Sequence, residues 1–146
     1  MRAVIQRVNK AEVSVQDKTV AKIGKGLLIL VGAACGDADE DARYLADKCA
    51  NLRIFEDEHG KMNLSALEVG AEVLVVSQFT LYADAAKGRR PSFSQALEPD
   101  LASQLYLKFI HFLKDNKLEV QQGIFGARMS VELINSGPVT LILESR

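Results

Sequence analysis

Two short polar segments hold the residues best placed to do chemistry. Ser77-Gln78-Phe79-Thr80-Leu81 follows the apolar run Val73-Leu74-Val75-Val76. Asn135-Ser136-Gly137-Pro138-Val139-Thr140 separates Val131-Glu132-Leu133-Ile134 from Leu141-Ile142-Leu143. Polar residues at strand ends suit a site carried on a rigid scaffold. A hydroxyl such as that of Thr80 is a weak nucleophile unless a base activates it, and no base accompanies it in sequence. Consecutive backbone N–H groups at the same strand end can instead hold a developing oxyanion. The competing structural reading is a polar strand end that caps a sheet. For Gly137-Pro138 it is a tight connection between strands, since Gly-Pro is a turn signal.

Other candidates are weaker. The histidines are His59, in a charged turn, and His111, on a helix; neither has the spacing of a zinc set or a Ser-His-Asp triad. No metal and no cofactor are expected. Gly123-Ile124-Phe125-Gly126-Ala127 lacks the Lys-Ser/Thr ending of a phosphate loop. It reads as a tight turn, or as a turn whose Phe125 offers a flat face to a nucleobase. Lys87-Gly88-Arg89-Arg90-Pro91-Ser92-Phe93 is the densest basic patch. It is either a solvated loop or a set of phosphate contacts.

The elements that must position these residues follow from the hydrophobic pattern. Ala11, Val13 and Val15 alternate with polar residues, as in a half-buried strand, and residues 19–23 return as a hairpin partner. Residues 26–34 are almost wholly apolar, which predicts a strand covered on both faces. Asp37 and Glu40 resemble a capping pair ahead of Ala42, Leu45, Ala46 and Cys49 at helical spacing. Residues 53–55 and 71–76 read as strands and 82–93 as loop. Pro99 opens the longest helix, with Leu101, Leu105, Phe109, Phe112 and Leu113 as its apolar face. Residues 118–122, 129–134 and 139–143 read as the last strands. Together these predict one α+β domain over residues 1–146, with a mainly antiparallel sheet or barrel-like sheets and two main helices.

The chain has 146 residues, 48% of them hydrophobic and 25% charged, as in an ordinary globule with one sizeable core. A formal net charge of −1 excludes a global basic field, so nucleic acid contact must be local. Two cysteines, Cys35 and Cys49, are too few for a disulfide framework and read as reduced structural thiols. The first residues lack the apolar stretch of a signal peptide, and no run is long enough to span a membrane. A cytoplasmic location is expected.

Several segments together resemble the D-aminoacyl-tRNA deacylase family. They are Met1-Arg2-Ala3-Val4-Ile5-Gln6-Arg7-Val8, Gly60-Lys61-Met62-Asn63-Leu64, Ser77-Gln78-Phe79-Thr80-Leu81, Arg90-Pro91-Ser92-Phe93, Phe125-Gly126-Ala127 with Met129, and Asn135-Ser136-Gly137-Pro138-Val139-Thr140. They run in order along nearly the whole chain. The resemblance implies a homodimer, with active sites at the subunit interface, that hydrolyses the ester between a D-amino acid and tRNA. Gly137-Pro138 matches a Gly-cis-Pro motif that reaches the partner's site, holds the substrate amino group and excludes an L side chain. That rejection leaves side chains unread and achiral glycyl-tRNA open as a substrate. Ser77, Gln78, Phe79 and Thr80 match the catalytic motif, in which the tRNA's terminal 2′-hydroxyl helps to activate a water. Phe125 and Met129 match positions near the terminal adenosine, Arg7 braces the Gly-Pro loop, and Arg89 and Arg90 meet the tRNA backbone. Ser136 stands where the family commonly has Asp, and Arg128 where an acidic residue is common. Two rival readings stand beside this one: a nucleic acid-binding module without hydrolysis, and a related deacylase preferring L-amino acids, which would go with a trans Gly137-Pro138 bond.

Overall fold

The structure is a computed structural model and describes residues 1–145. A six-stranded sheet is built from β1 (Arg2–Val15), β2 (Lys18–Ile23), β3 (Gly26–Gly32), β6 (Glu72–Ser77), β7 (Glu119–Gln122) and β8 (Ser130–Glu144). β4 (Phe55–Glu56) and β5 (Met62–Leu64) form a separate small hairpin. The helices are α1 (Asp39–Asn51) and α2 (Pro99–Asp115). The fold is α+β and nearly barrel-shaped, in line with the expectation. The sheet is mixed rather than mainly antiparallel. β1 pairs antiparallel with β2, β3 and β8, whereas β6 runs parallel to both β3 and β7. Parallel neighbours need a crossover, and α1 and α2 lie in those two connections.

The central strands are apolar on both sides because each separates two cores. Leu27, Ile29, Val73 and Val75 face the helices, while Leu28, Leu74 and Val76 face a second cluster with Val8, Ala11 and Val13. β1 serves both cores by changing face along its length. Ala3 and Ile5 are buried under the helices and Val8, Ala11 and Val13 in the other cluster. Its register against β8 shifts on both sides of Val8, and such bulges redirect side chains in this way.

α2 begins as predicted at Pro99, with the Glu98 carboxylate accepting from Leu101 N at 2.7 Å and Asp100 N at 3.2 Å. Its buried face comprises Leu105, Tyr106, Phe109, Ile110, Phe112 and Leu113; Leu101, in the first turn, is exposed. α1 starts later than the Asp37–Glu40 pair suggests. Asp41 Oδ2 accepts from Ala38 N at 2.8 Å, while Asp37 accepts from Ala34 N at 2.6 Å and pairs with the Met1 α-ammonium at 2.8 Å. The ion pair takes the carboxylate that would have capped the helix.

The two cysteines differ sharply. Cys35 is exposed, and Cys49 is buried in α1, where burial pushes its thiol up to about 12. A thiolate is needed for alkylation. In native protein at pH 8, iodoacetamide is expected to label Cys35 and to reach Cys49 only after unfolding. Equal labelling of both, read by peptide mass spectrometry, would contradict the packing of α1.

Candidate active site

β6 ends at Ser77 and the chain enters a short 3₁₀ turn, Phe79–Tyr82. Gln78 N donates to Val31 O at 2.8 Å, which ties the entrance of the turn to β3. This close approach requires Gly32: a Cβ there would stand 2.7 Å from Gln78 O. The tight turn leaves its first N–H groups, those of Phe79 and Thr80, without an acceptor inside the turn. The Gln78 side-chain amide donates to the Thr80 hydroxyl. Thr80 is exposed.

Ser77, Gln78 and Phe79 form one wall of a cleft of about 640 Å³. Phe125, Gly126, Ala127 and Met129, from the segment between β7 and β8, line it as well, with Tyr106 of α2. Two aromatic pairs shape it. Phe79 and Phe93 meet edge to face with centroids 5.0 Å apart, and Tyr106 and Phe125 are 5.7 Å apart. Phe93 ends the basic segment, so the loop carrying Lys87, Arg89 and Arg90 is anchored beside the cleft. The base of that loop is closed by two hydrogen bonds of 2.8 Å between Asp84 and Ser92.

The lining offers little acid–base chemistry. Its carboxylate is Glu98, which is committed to capping α2. The Tyr106 hydroxyl donates to Val75 O at 3.0 Å, and burial raises its pKa well above the usual tyrosine range. At the end of the turn, Tyr82 is pushed up to about 12 by burial and by the nearby Asp37. Both phenols are neutral at working pH. Among the described residues, no cluster of three His, Cys, Asp or Glu side chains could hold a metal ion.

The second polar segment is not the tight connection that its sequence suggests. β8 is continuous from Ser130 to Glu144 and stays paired with β1 on both sides of the motif. Val8 stands opposite Asn135 and Gln6 opposite Thr140, so residues 136–139 bulge out against Arg7 alone. Asn135 closes the bulge, its Oδ1 accepting from Val139 N at 2.7 Å and its Nδ2 donating to Val139 O at 3.0 Å. The Gly137-Pro138 peptide is cis. Arg7, 6% exposed, donates from Nε to Ser136 O at 3.0 Å and from Nη1 to Ile54 O at 2.6 Å. Gly137, Pro138 and Arg7 therefore stand together, but none of them lines the cleft.

The structure thus brings Ser77, Gln78, Phe79, Phe125 and Met129 to one cleft. It leaves Thr80 at the rim and sets Gly137, Pro138 and Arg7 apart. Glu98 and Tyr106 are cleft residues that sequence reasoning missed. Tyr106 left one signal, a polar tip on an otherwise apolar helix face.

The cleft lies at the end of a buried strand, lined by aromatic faces and by a carboxylate already committed to a helix cap. A model of the D-Tyr-tRNA(Tyr) deacylase family matches residues 4–144, and the chain belongs to that family. It is 57% identical to the D-aminoacyl-tRNA deacylase of Thermosipho africanus, across 100% of this chain and 98% of the relative. It is 53% identical to the D-aminoacyl-tRNA deacylase of Bacillus velezensis, across 100% and 99% respectively. A solved structure described as c-Myc DNA Unwinding Element Binding Protein superposes with a TM-score of 0.94 at 39% identity, covering 100% of this chain and 99% of that one. A "probable eukaryotic D-amino acid tRNA deacylase", at 22% identity and a TM-score of 0.84, covers 98% of both chains and shares the fold. No helix among the described residues is long and apolar enough to cross a membrane.

Proposed function

We propose that the chain hydrolyses the ester joining a D-amino acid to the 3′ end of tRNA and rejects the L ester, as a chiral proofreader in the cytoplasm. The observation that carries this reading is the cleft of Ser77, Gln78 and Phe79, which pairs backbone donors with aromatic faces and offers no free side-chain base. The ester carbonyl lies against the N–H groups of Phe79 and Thr80, which hold the developing oxyanion. The terminal adenosine packs at Phe125 and Met129. The attacking water is oriented by the substrate's own terminal 2′-hydroxyl, which supplies what the lining lacks. Arg89 and Arg90 meet the phosphates of the acceptor end.

Gly137 and Pro138 lie outside their own cleft, and this favours a homodimer in which each protomer supplies them to its partner. β8 has an open outer edge and carries the exposed Ile134 and Ile142, a surface suited to such pairing. The carbonyls of the bulge then hold the substrate ammonium, and its bulk occupies the space an L side chain would need. Nothing in this device reads the side chain, so tolerance is broad and glycyl-tRNA is not excluded.

The test is hydrolysis of matched D- and L-tyrosyl-tRNA by the purified protein with chelator present. Fast loss of the D ester alone is expected, with no gain on adding zinc. Loss of the L ester would overturn the chiral assignment. The similarity to a protein described as binding a DNA unwinding element favours a second reading, duplex binding without catalysis. With a net charge of −1, phosphate-driven binding of that kind should be weak and steeply salt-sensitive. Stable ester with tight duplex binding would establish it.

A further inference from the structure

The turn that lines the cleft is held at both ends, and only its entrance is held by the sheet itself. Gln78 N bonds Val31 O at the entrance. At the exit, a side chain from β1, at the same end of the sheet and opposite Gly32 of β3, does the work. Arg2 Nη1 donates to Leu81 O at 2.6 Å, and its guanidinium sits over the Tyr82 ring at 4.9 Å from the centroid. The rest of the fork is taken by one partner on β8: Nε donates to Glu144 Oε1 at 2.7 Å, and Nη2 lies 2.6 Å from the same oxygen. As an ion pair, with side chains 34% and 45% exposed, Arg2–Glu144 contributes little stability. Its geometry is more telling. A planar fork fixed by a carboxylate on one side has one orientation left for the donor it gives to Leu81.

We infer that Arg2, oriented by Glu144, is a positioning residue that sets the Phe79–Tyr82 turn for the ester reaction. It touches neither the substrate nor the reacting atoms. It fixes the exit of the turn whose first N–H groups face the carbonyl, so it acts on donor placement rather than on binding. The inference rests on the reading of those N–H groups as oxyanion donors. A donor displaced by a fraction of an ångström remains in place for the ground state and fails in the transition state, where its hydrogen bond must shorten.

The test compares wild type, Arg2→Met, Arg2→Lys, Glu144→Gln and the double variant Arg2→Met/Glu144→Gln in the full chain. Single-turnover hydrolysis of D-tyrosyl-tRNA is expected to slow about tenfold in Arg2→Met, a fraction of the loss on deleting a donor outright. The concentration for half-maximal rate should stay within about twofold, since a uniform binding contact is not what was removed. Arg2→Lys should recover part of the rate. The double variant should be no slower than Arg2→Met, because the two side chains act as one unit. Unchanged rate in Arg2→Met, strictly additive losses, or a change in half-saturation alone would each overturn the role; the last would make Arg2 a tRNA contact. Backbone amide NMR separates this idea from the proposed function. The Phe79 and Thr80 resonances should shift in Arg2→Met, and unmoved amides would refute the positioning role even if the wild type left the ester intact.

Discussion

Gly137→Ala is expected to lower D-tyrosyl-tRNA hydrolysis about a hundredfold, the scale of a small misplacement in a site that works by orientation. Thr80→Ala should cost only a few-fold. The difference lies in what each residue holds. Gly137 has φ of +137°, a conformation L side chains rarely adopt, and a Cβ there would lie 2.8 Å from Val139 Cγ2 and 3.1 Å from Arg7 Nη2. The bulge must move to admit it, and with it the carbonyls that meet the substrate ammonium. Thr80 is exposed, its hydroxyl is engaged by Gln78, and its contribution is main chain, which alanine keeps. Single-turnover rates of the two variants decide the matter. Equal or reversed losses would restore Thr80 as the nucleophile and end the backbone-based mechanism.

Arg7→Met should destabilise the fold by about 1–3 kcal/mol, the cost of leaving one buried and one partly buried carbonyl without their donors. Those carbonyls are Ser136 O and Ile54 O, held at 3.0 and 2.6 Å by a side chain that is 6% exposed. Methionine fills much of the space, so the loss is one of hydrogen bonding rather than of a cavity. The third partner, Glu56 Oε1 at 3.5 Å, adds little, because its side chain is 59% exposed and stays hydrated. The expected signature is a lower denaturant midpoint with unchanged slope, together with slower hydrolysis as the bulge loosens. A wild-type midpoint would mean that water replaces the guanidinium, and that Arg7 does not brace the motif.

Much of this arrangement was legible in the residues. The two-faced burial of β3 and β6 follows from uninterrupted apolar runs, and the start of α2 from Pro99. Ser77, Gln78 and Phe79 could be placed together because the end of a buried strand is where a polar run must surface. The direction of β6 was harder. A strand buried on both faces has the same composition whether its neighbours run parallel or antiparallel, and only the crossovers decide. The bulge at residues 136–139 was misread because Gly-Pro is as good a signal for a turn as for an extrusion from one strand. What distinguishes them is that β1 stays paired on both sides, a contact between residues far apart in sequence. The roles of Arg2, Asp37 and Tyr106 were hidden for the same reason. Each meets its partner across the fold, at Leu81, the Met1 ammonium and Val75.

The antiparallel pairing of β1 with β8 bears on how the molecule is made. Arg2 and Glu144 are hydrogen-bonded neighbours 142 residues apart in sequence. A chain emerging from the ribosome exposes β1 well before β8. During that interval β1 can pair with β2 and β3, but its remaining edge has no partner and the second core lacks Met129 and Leu133. Such long-range closure is slow to nucleate, and an unpaired strand edge invites intermolecular pairing meanwhile. Cooperative folding therefore waits for residues 130–144. Substitutions that weaken β8 would be felt first as a lower yield of folded protein, before any effect on the rate of hydrolysis.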